Sequence, residues 1–218
     1  MSEFIQVFQS LDFGIFTQRI IPILICLTIH ELSHGAVAYA LGDSTAKDQG
    51  RLTLNPIKHI DPMGLIFMFF FRFGWAKAVP VNMYNFKRPK RDMAMTALAG
   101  PLSNFLLASL IFIFQVPLIT AYVGGNLLAE IVLMTGIISV FLGVFNLLPV
   151  PPLDGSKIVN SLLPNRYYYR VLQYERYGMF ILLALIWFGV LSGPLQGLMD
   201  GALDFFLNLT RPISLLLF

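Results

Sequence analysis

The sequence predicts a polytopic α-helical membrane protein, and three observations carry that prediction. Of its 218 residues, 56% are apolar and 12% charged, with a mean hydropathy of +0.72, whereas a soluble domain carries roughly 25% charged residues. Apolar stretches long enough to cross a bilayer recur along the chain, separated by turn residues. The basic residues gather beside those stretches: nine of the 15 Lys and Arg fall in 47–91 and four in 157–176. That distribution, with a net charge of only +3, argues against a nucleic-acid partner. The lone cysteine, Cys26, excludes an internal disulfide. The N-terminus carries no basic run before its apolar residues, so no cleavable signal peptide is expected.

In order, 4–16 reads as an interfacial lead-in of mixed character. A first span is expected over 18–41, stopped by Gly42-Asp43-Ser44. Residues 43–91 differ in kind. Alternation over 50–56 and again over 76–82 suggests two short strands, the second with Pro80 on an edge. Between them, 62–75 is apolar but too short to span, which suits a re-entrant or interfacial segment. A second span is expected over 93–122 and a third over 127–148, joined by the turn at 123–126. Pro149, Pro151 and Pro152 cannot continue the third helix, so the chain breaks there and a short helix follows from 156. Residues 157–177 are basic and tyrosine-rich, as the membrane–water interface favours. A further span covers 178–191, broken by Ser192-Gly193-Pro194. Asp200, Asp204 and Arg211 fit the last stretch to an interfacial or protein-packed helix. The expectation is one domain over 1–218, with a core at 18–160, C-terminal helices at 178–218, about five or six transmembrane or re-entrant helices, and a small membrane-associated β-sheet.

The chemistry concentrates in the first span, at His30-Glu31-Leu32-Ser33-His34. On a helix, His30 and His34 project from one face and can hold one zinc ion. Glu31 lies one position round, placed to act as a general base on water. Shuffling a chain of this composition would give such a run in about 5 of 10,000 trials, so chance is a poor explanation. Asp154, beyond the proline break, is an acidic residue at membrane depth that needs a partner and is the best candidate for a third ligand. Cys26, one turn before His30, reads as a buried spectator thiol ahead of a further ligand. His59 reads as a structural or interfacial histidine ahead of an active-site one. In Gly100-Pro101-Leu102-Ser103-Asn104, small residues allow close helix approach, while Asn104 serves either as a helix-to-helix bond or in substrate positioning.

Charge bias sets the expected topology. The two basic stretches face the cytoplasm, two spans joined by the 123–126 turn separate them, and the first span runs inward from an outside N-terminus. His34 then lies roughly 10 Å below the cytoplasmic end of its helix, at about 1.5 Å per residue, and Asp154 emerges on the same side.

With these elements in place the sequence resembles the site-2 proteases, the family of intramembrane zinc metalloproteases. Three elements carry the match, in the family's order: His30 through His34, Gly100 through Asn104, and Asn146 through Leu153-Asp154-Gly155. Residues 50–64 and 77–92 also resemble small prokaryotic members. The resemblance implies a helical membrane core with a small sheet beside the active site, one zinc ion on His30, His34 and Asp154, and Glu31 as catalytic base. It puts Asn104 and Asn146 near the substrate, as substrate-binding or oxyanion support. No inserted PDZ domain and no C-terminal CBS pair are expected, so filtering by such domains does not carry over. The expected activity is hydrolysis of a peptide bond within or near a transmembrane segment of a protein or peptide substrate, in the cell membrane. The alternatives are a non-enzymatic membrane protein that binds or transports zinc, and a pseudoprotease. The sequence names neither the substrate nor the oligomeric state.

Overall fold

The first long apolar segment folds as one helix, α1, over Phe13–Ala40. The computed structural model describes residues 13–64 and 76–218. Most of the lead-in expected over 4–16, and most of the apolar run expected over 62–75, lies outside the described residues. After α1 come a single helical turn, α2 (Thr45–Asp48), then α3 (Pro89–Ile113), α4 (Gln115–Val123) and α5 (Leu127–Asn146). The remaining helices are α6 (Asp154–Ser161), α7 (Asn165–Tyr174), α8 (Gly178–Trp187) and α9 (Ser192–Leu217).

Three of these helices are long and apolar enough to cross a membrane: Ile20–Ala40 within α1, α3 and α5, with mean hydropathies of 1.6, 1.7 and 2.3. They pack against one another pairwise, and α6 docks on α3. Helix α3 shows how sequence sets the packing. Ala97, Gly100, Asn104 and Ala108 are buried, so small residues line the face that meets α1 and α5. Leu102, Leu106 and Leu110, four residues apart on another face, stay exposed. An apolar stripe of that kind suits lipid. Farther along, Ala108, Phe112 and Val140 form a buried cluster, against which α9 lays Ala202, Leu203, Phe206 and Leu207. An adjoining side of α9 carries exposed Asp200, Asp204 and Arg211, so it is a protein-packed amphipathic helix.

Three expectations are corrected. The strands at 50–56 and 76–82 do not form; among the described residues the only β contact is an isolated antiparallel bridge between Ile60 and Ala76. The backbone groups of these segments are taken elsewhere. Thr53 N–H donates to the Arg51 carbonyl, and Lys77 N–H to that of His59. Val79 N–H and Asn82 N–H donate to the carboxylates of Glu31 and Asp43. The Arg51 guanidinium donates to the carbonyls of Lys77 and Ala78. With the N–H groups of Val79 and Asn82 spent on side chains and Pro80 having none, 77–82 is an extended strap across the end of α1 rather than a sheet strand.

The span expected over 93–122 is two helices that part at Phe114. Pro117 has no N–H to bond the carbonyl of Ile113, and its ring would collide with that carbonyl in a continuous helix. Phe114 N–H turns back to the carbonyl of Ile111 instead. The break expected at Ser192-Gly193-Pro194 falls earlier, at 188–191, where Gly189 takes a φ of 69°. Pro194 then sits in the first turn of α9, where a missing N–H costs nothing.

Candidate active site

The spacing of His30 and His34 puts both rings on one face of α1, and the structure has their centroids 4.6 Å apart, edge to face. The third member arrives from α6. Helix α5 ends at Asn146 and the proline-rich segment turns the chain back, placing Asp154 at the first residue of α6. Gly155 makes this turn possible: a Cβ there would stand 2.1 Å from the carbonyl oxygen of Leu147, so only glycine lets α6 lie against the end of α5. His30 Nε2 and His34 Nε2 are then 3.1 and 3.0 Å from Asp154 Oδ2, and 3.0 Å from each other. All three residues are buried.

This trio fits a zinc ion. Bonds of about 2.0–2.1 Å to a tetrahedral zinc leave ligand atoms roughly 3.3 Å apart, close to the spacing observed. The chemistry agrees. His34 Nδ1 lies 2.7 Å from the carbonyl oxygen of Thr96, which can only accept, so Nδ1 carries the hydrogen. In the neutral ring Nε2 therefore presents a lone pair toward the Asp154 carboxylate, an arrangement a cation resolves. Gly100 of α3 lies against the same nitrogens: a Cβ would be 2.5 Å from His34 Nε2 and 2.6 Å from His30 Nε2.

The trio opens on a cavity of about 630 Å³, whose wall includes Glu31, Val79, Asn146 and Lys157. Glu31 is held by one oxygen: Val79 N–H donates to Oε2 at 2.7 Å. Lys157, one turn after Asp154 on α6, has Nζ 3.8 Å from Oδ1. Asn146 lines the cavity while its Nδ2 donates to the Leu142 carbonyl in its own helix. The strap that supplies Val79 is anchored by Asp43. That buried carboxylate accepts from Thr45 N–H and Oγ1–H, from Asn82 N–H and from the Asn85 amide. Burial pushes the Asp43 carboxyl up, but the bonds from Thr45, Asn82 and Asn85 outweigh it and hold it below the usual carboxylate range.

The other candidates fall outside the trio. Cys26 turns to α5, with Sγ 3.4 Å from the Thr135 carbonyl and 3.1 Å from Ser139 Oγ. His59 donates from Nε2 to the Thr53 carbonyl and supports the loop before the strap. Asn104 is fully buried behind His30, its amide 3.2 Å from Nδ1, and does not line the cavity. Sequence reasoning missed Val79 and Thr96, which act through backbone atoms and carry no residue signal. Lys157 was legible as an i,i+3 neighbour of Asp154.

A helical membrane protein in which two imidazoles and a carboxylate converge beside a further carboxylate has the layout of a metal-dependent hydrolase. Comparison with known proteins names the class. The model of peptidase family M50 matches residues 119–189, which include Asp154. The chain is 43% identical over 175 residues to "Putative zinc metalloprotease YwhC" of Bacillus subtilis, covering 76% of this chain and 78% of that one. It is 31% identical over 150 residues to "Putative zinc metalloprotease Rip2" of Mycolicibacterium smegmatis, covering 65% of this chain and 56% of that one. A Rip2 of Mycobacterium tuberculosis shows 31% identity over 153 residues, at the same coverages. No solved structure matches. The chain belongs to peptidase family M50, the site-2 proteases, and is a zinc-dependent metalloprotease of the membrane.

Proposed function

We propose that this protease cuts a peptide bond within or beside a transmembrane segment of its substrate, with zinc held by His30, His34 and Asp154 and with Glu31 as general base. The observation that carries the reading is the convergence of two imidazole nitrogens and one carboxylate oxygen to within 3.1 Å, at the wall of a cavity that Glu31 also lines. When bound, zinc supplies Lewis-acid chemistry, polarising the scissile carbonyl and letting water lose a proton near neutral pH. Glu31 takes that proton at Oε1, because Oε2 is engaged by Val79 N–H. It then delivers the proton to the departing amine nitrogen. Asn146, on the cavity wall, bears on the substrate through its amide. The extended strap at 78–82 borders the same cavity and offers backbone against which an unwound substrate segment lies as an added strand. Helical substrate carbonyls are bonded and shielded, so unwinding precedes attack.

The domain reading is one unit over 1–218 with about five or six transmembrane or re-entrant helices, α8 and α9 counted among them. The basic stretches at 47–91 and 157–176 support an active site toward the cytoplasm, with the N-terminus outside.

The test pairs zinc content with cleavage of a transmembrane-helix substrate in liposomes, for wild type and Glu31→Gln. Zinc retained with cleavage down 10²–10⁴-fold is the expected result, on the order of what a general base contributes. Equal cleavage by both removes Glu31 from the mechanism. Zinc bound with no cleavage by either moves the reading toward a zinc-binding or substrate-holding protein.

A further inference from the structure

Asn104 lies on α3 with no solvent exposure, and its amide faces the ring nitrogen of His30 that points away from the trio. Nδ2 lies 3.2 Å from His30 Nδ1, while among the described residues no donor reaches Asn104 Oδ1. A buried amide oxygen without a donor is costly. Turning the amide by 180° exchanges its two ends at almost no change in shape. Oδ1 then faces Nδ1 and accepts its hydrogen, which satisfies the orphaned acceptor. It also fixes His30 as the tautomer with hydrogen on Nδ1 and a lone pair on Nε2, the atom that faces Asp154 and His34.

The other histidine supports this orientation. His34 Nδ1 meets the Thr96 carbonyl, an obligatory acceptor, on the same α3. Thr96 and Asn104 are eight residues apart, just over two turns, so α3 presents both acceptors along one side, with Gly100 midway between them. Gly100 lets that side reach the rings. The opposite amide orientation would have Asn104 donate to a bare Nδ1. Nε2 would then carry the hydrogen, and the neutral ring could not offer a lone pair to the trio.

We infer that Asn104 is a positioning residue whose side-chain oxygen accepts from His30 Nδ1–H, so that α3 sets the tautomer of both histidines and readies their Nε2 atoms for zinc. The inference rests on the reading of His30 as a zinc ligand. It moves Asn104 from the substrate side of the site to the side behind the metal. Substitution of such outer partners typically lowers metal affinity 10–100-fold.

The experiment uses the full chain in detergent micelles with ¹⁵N-labelled histidine. It reads zinc affinity by chelator competition and the His30 tautomer from ring ¹⁵N shifts in the zinc-free protein. Asn104→Leu should lower zinc affinity 10–100-fold and lose the Nδ1–H signature of His30, leaving that of His34 intact. Asn104→Asp, an acceptor of similar size, should keep both the signature and an affinity within a fewfold of wild type. A merely structural asparagine would move neither tautomer. If Asn104→Leu does not fold, Asn104→Asp still decides: an amide that donates would leave His30 Nδ1 without hydrogen in wild type, so a His30 tautomer that differs between wild type and Asn104→Asp overturns the inference. Loss of zinc affinity in Asn104→Asp, or an unchanged tautomer in Asn104→Leu, overturns the inference. His30→Ala is measured alongside. Zinc affinity unchanged in His30→Ala overturns the ligand reading itself; zinc lost there but kept in Asn104→Leu overturns only the role of Asn104.

Discussion

Gly100→Ala adds one methyl group where α3 crosses the histidine pair. The new carbon would lie 2.5 Å from His34 Nε2 and 2.6 Å from both Cε1 and Nε2 of His30, where ordinary contact begins near 3.4 Å. Relief requires about 0.8–0.9 Å of movement by ring or helix, well above the roughly 0.2 Å that a metal site tolerates in its ligand distances. Neither ring is free to yield, because His34 is held by the Thr96 carbonyl and His30 by the Asn104 amide. Overpacking of this size costs about 1–3 kcal/mol, and a catalytic group misplaced by about 1 Å loses on the order of 10²-fold in rate. Gly100→Ala should therefore lose zinc affinity at least tenfold and activity about 10²-fold, while remaining folded and helical. The control is Gly201→Ala in α9, where an added Cβ meets nothing within 4 Å. There the same exchange should stabilise the protein by about 0.5–1 kcal/mol through helix propensity alone. Zinc competition, cleavage rate and thermal unfolding are measured on both variants. Wild-type zinc affinity and activity in Gly100→Ala would refute the claim that this helix face is fitted to the histidines.

Two further outcomes follow from the strap. Val79→Pro removes the N–H that holds Glu31 Oε2; it should lower the cleavage rate at least tenfold and leave zinc content unchanged, and unaltered cleavage would show that the bond does not orient the base. Asp43 has its carboxyl held down in the folded protein. Its contribution to stability is therefore full above the unfolded value of about 3.9 and is lost as pH falls through the lower folded value. Asp43→Asn should lower the melting temperature at pH 7, by the equivalent of roughly 2–3 kcal/mol for bonds to a charged group, and flatten the melting-temperature profile below about pH 4. Parallel profiles for the two proteins would remove Asp43 as the acid-sensitive staple.

How much of this was legible in the sequence depends on whether a side chain or a backbone atom does the work. His30 and His34 share a face because four residues make about one helical turn, and no tertiary information is needed to see it. Asp154 could be singled out because an acid beyond a proline break at membrane depth demands a partner. The long helices were readable from hydropathy, although Pro117 was underweighted: its lost hydrogen bond divides the second apolar stretch into α3 and α4. The alternation at 76–82 pointed to a strand. It is a real extended segment, but the N–H groups of Val79 and Asn82 go to Glu31 and Asp43, and a periodicity in side chains cannot report where backbone hydrogens are spent. Asn104 was placed near the substrate by analogy; the direction in which a buried amide faces is a matter of helix packing, invisible in the residue list.

The separation in sequence of the three converging atoms bears on how the chain is made. Asp154 lies 124 residues from His30 and 120 from His34. While α1 and α3 enter the bilayer during synthesis, only two of the three proposed ligands exist, too few to hold zinc firmly. The third donor arrives only after α5 has inserted and Gly155 has let α6 fold back on it. A growing chain surrounded by other unassembled membrane helices is thus a blunt instrument, and its edge is set last.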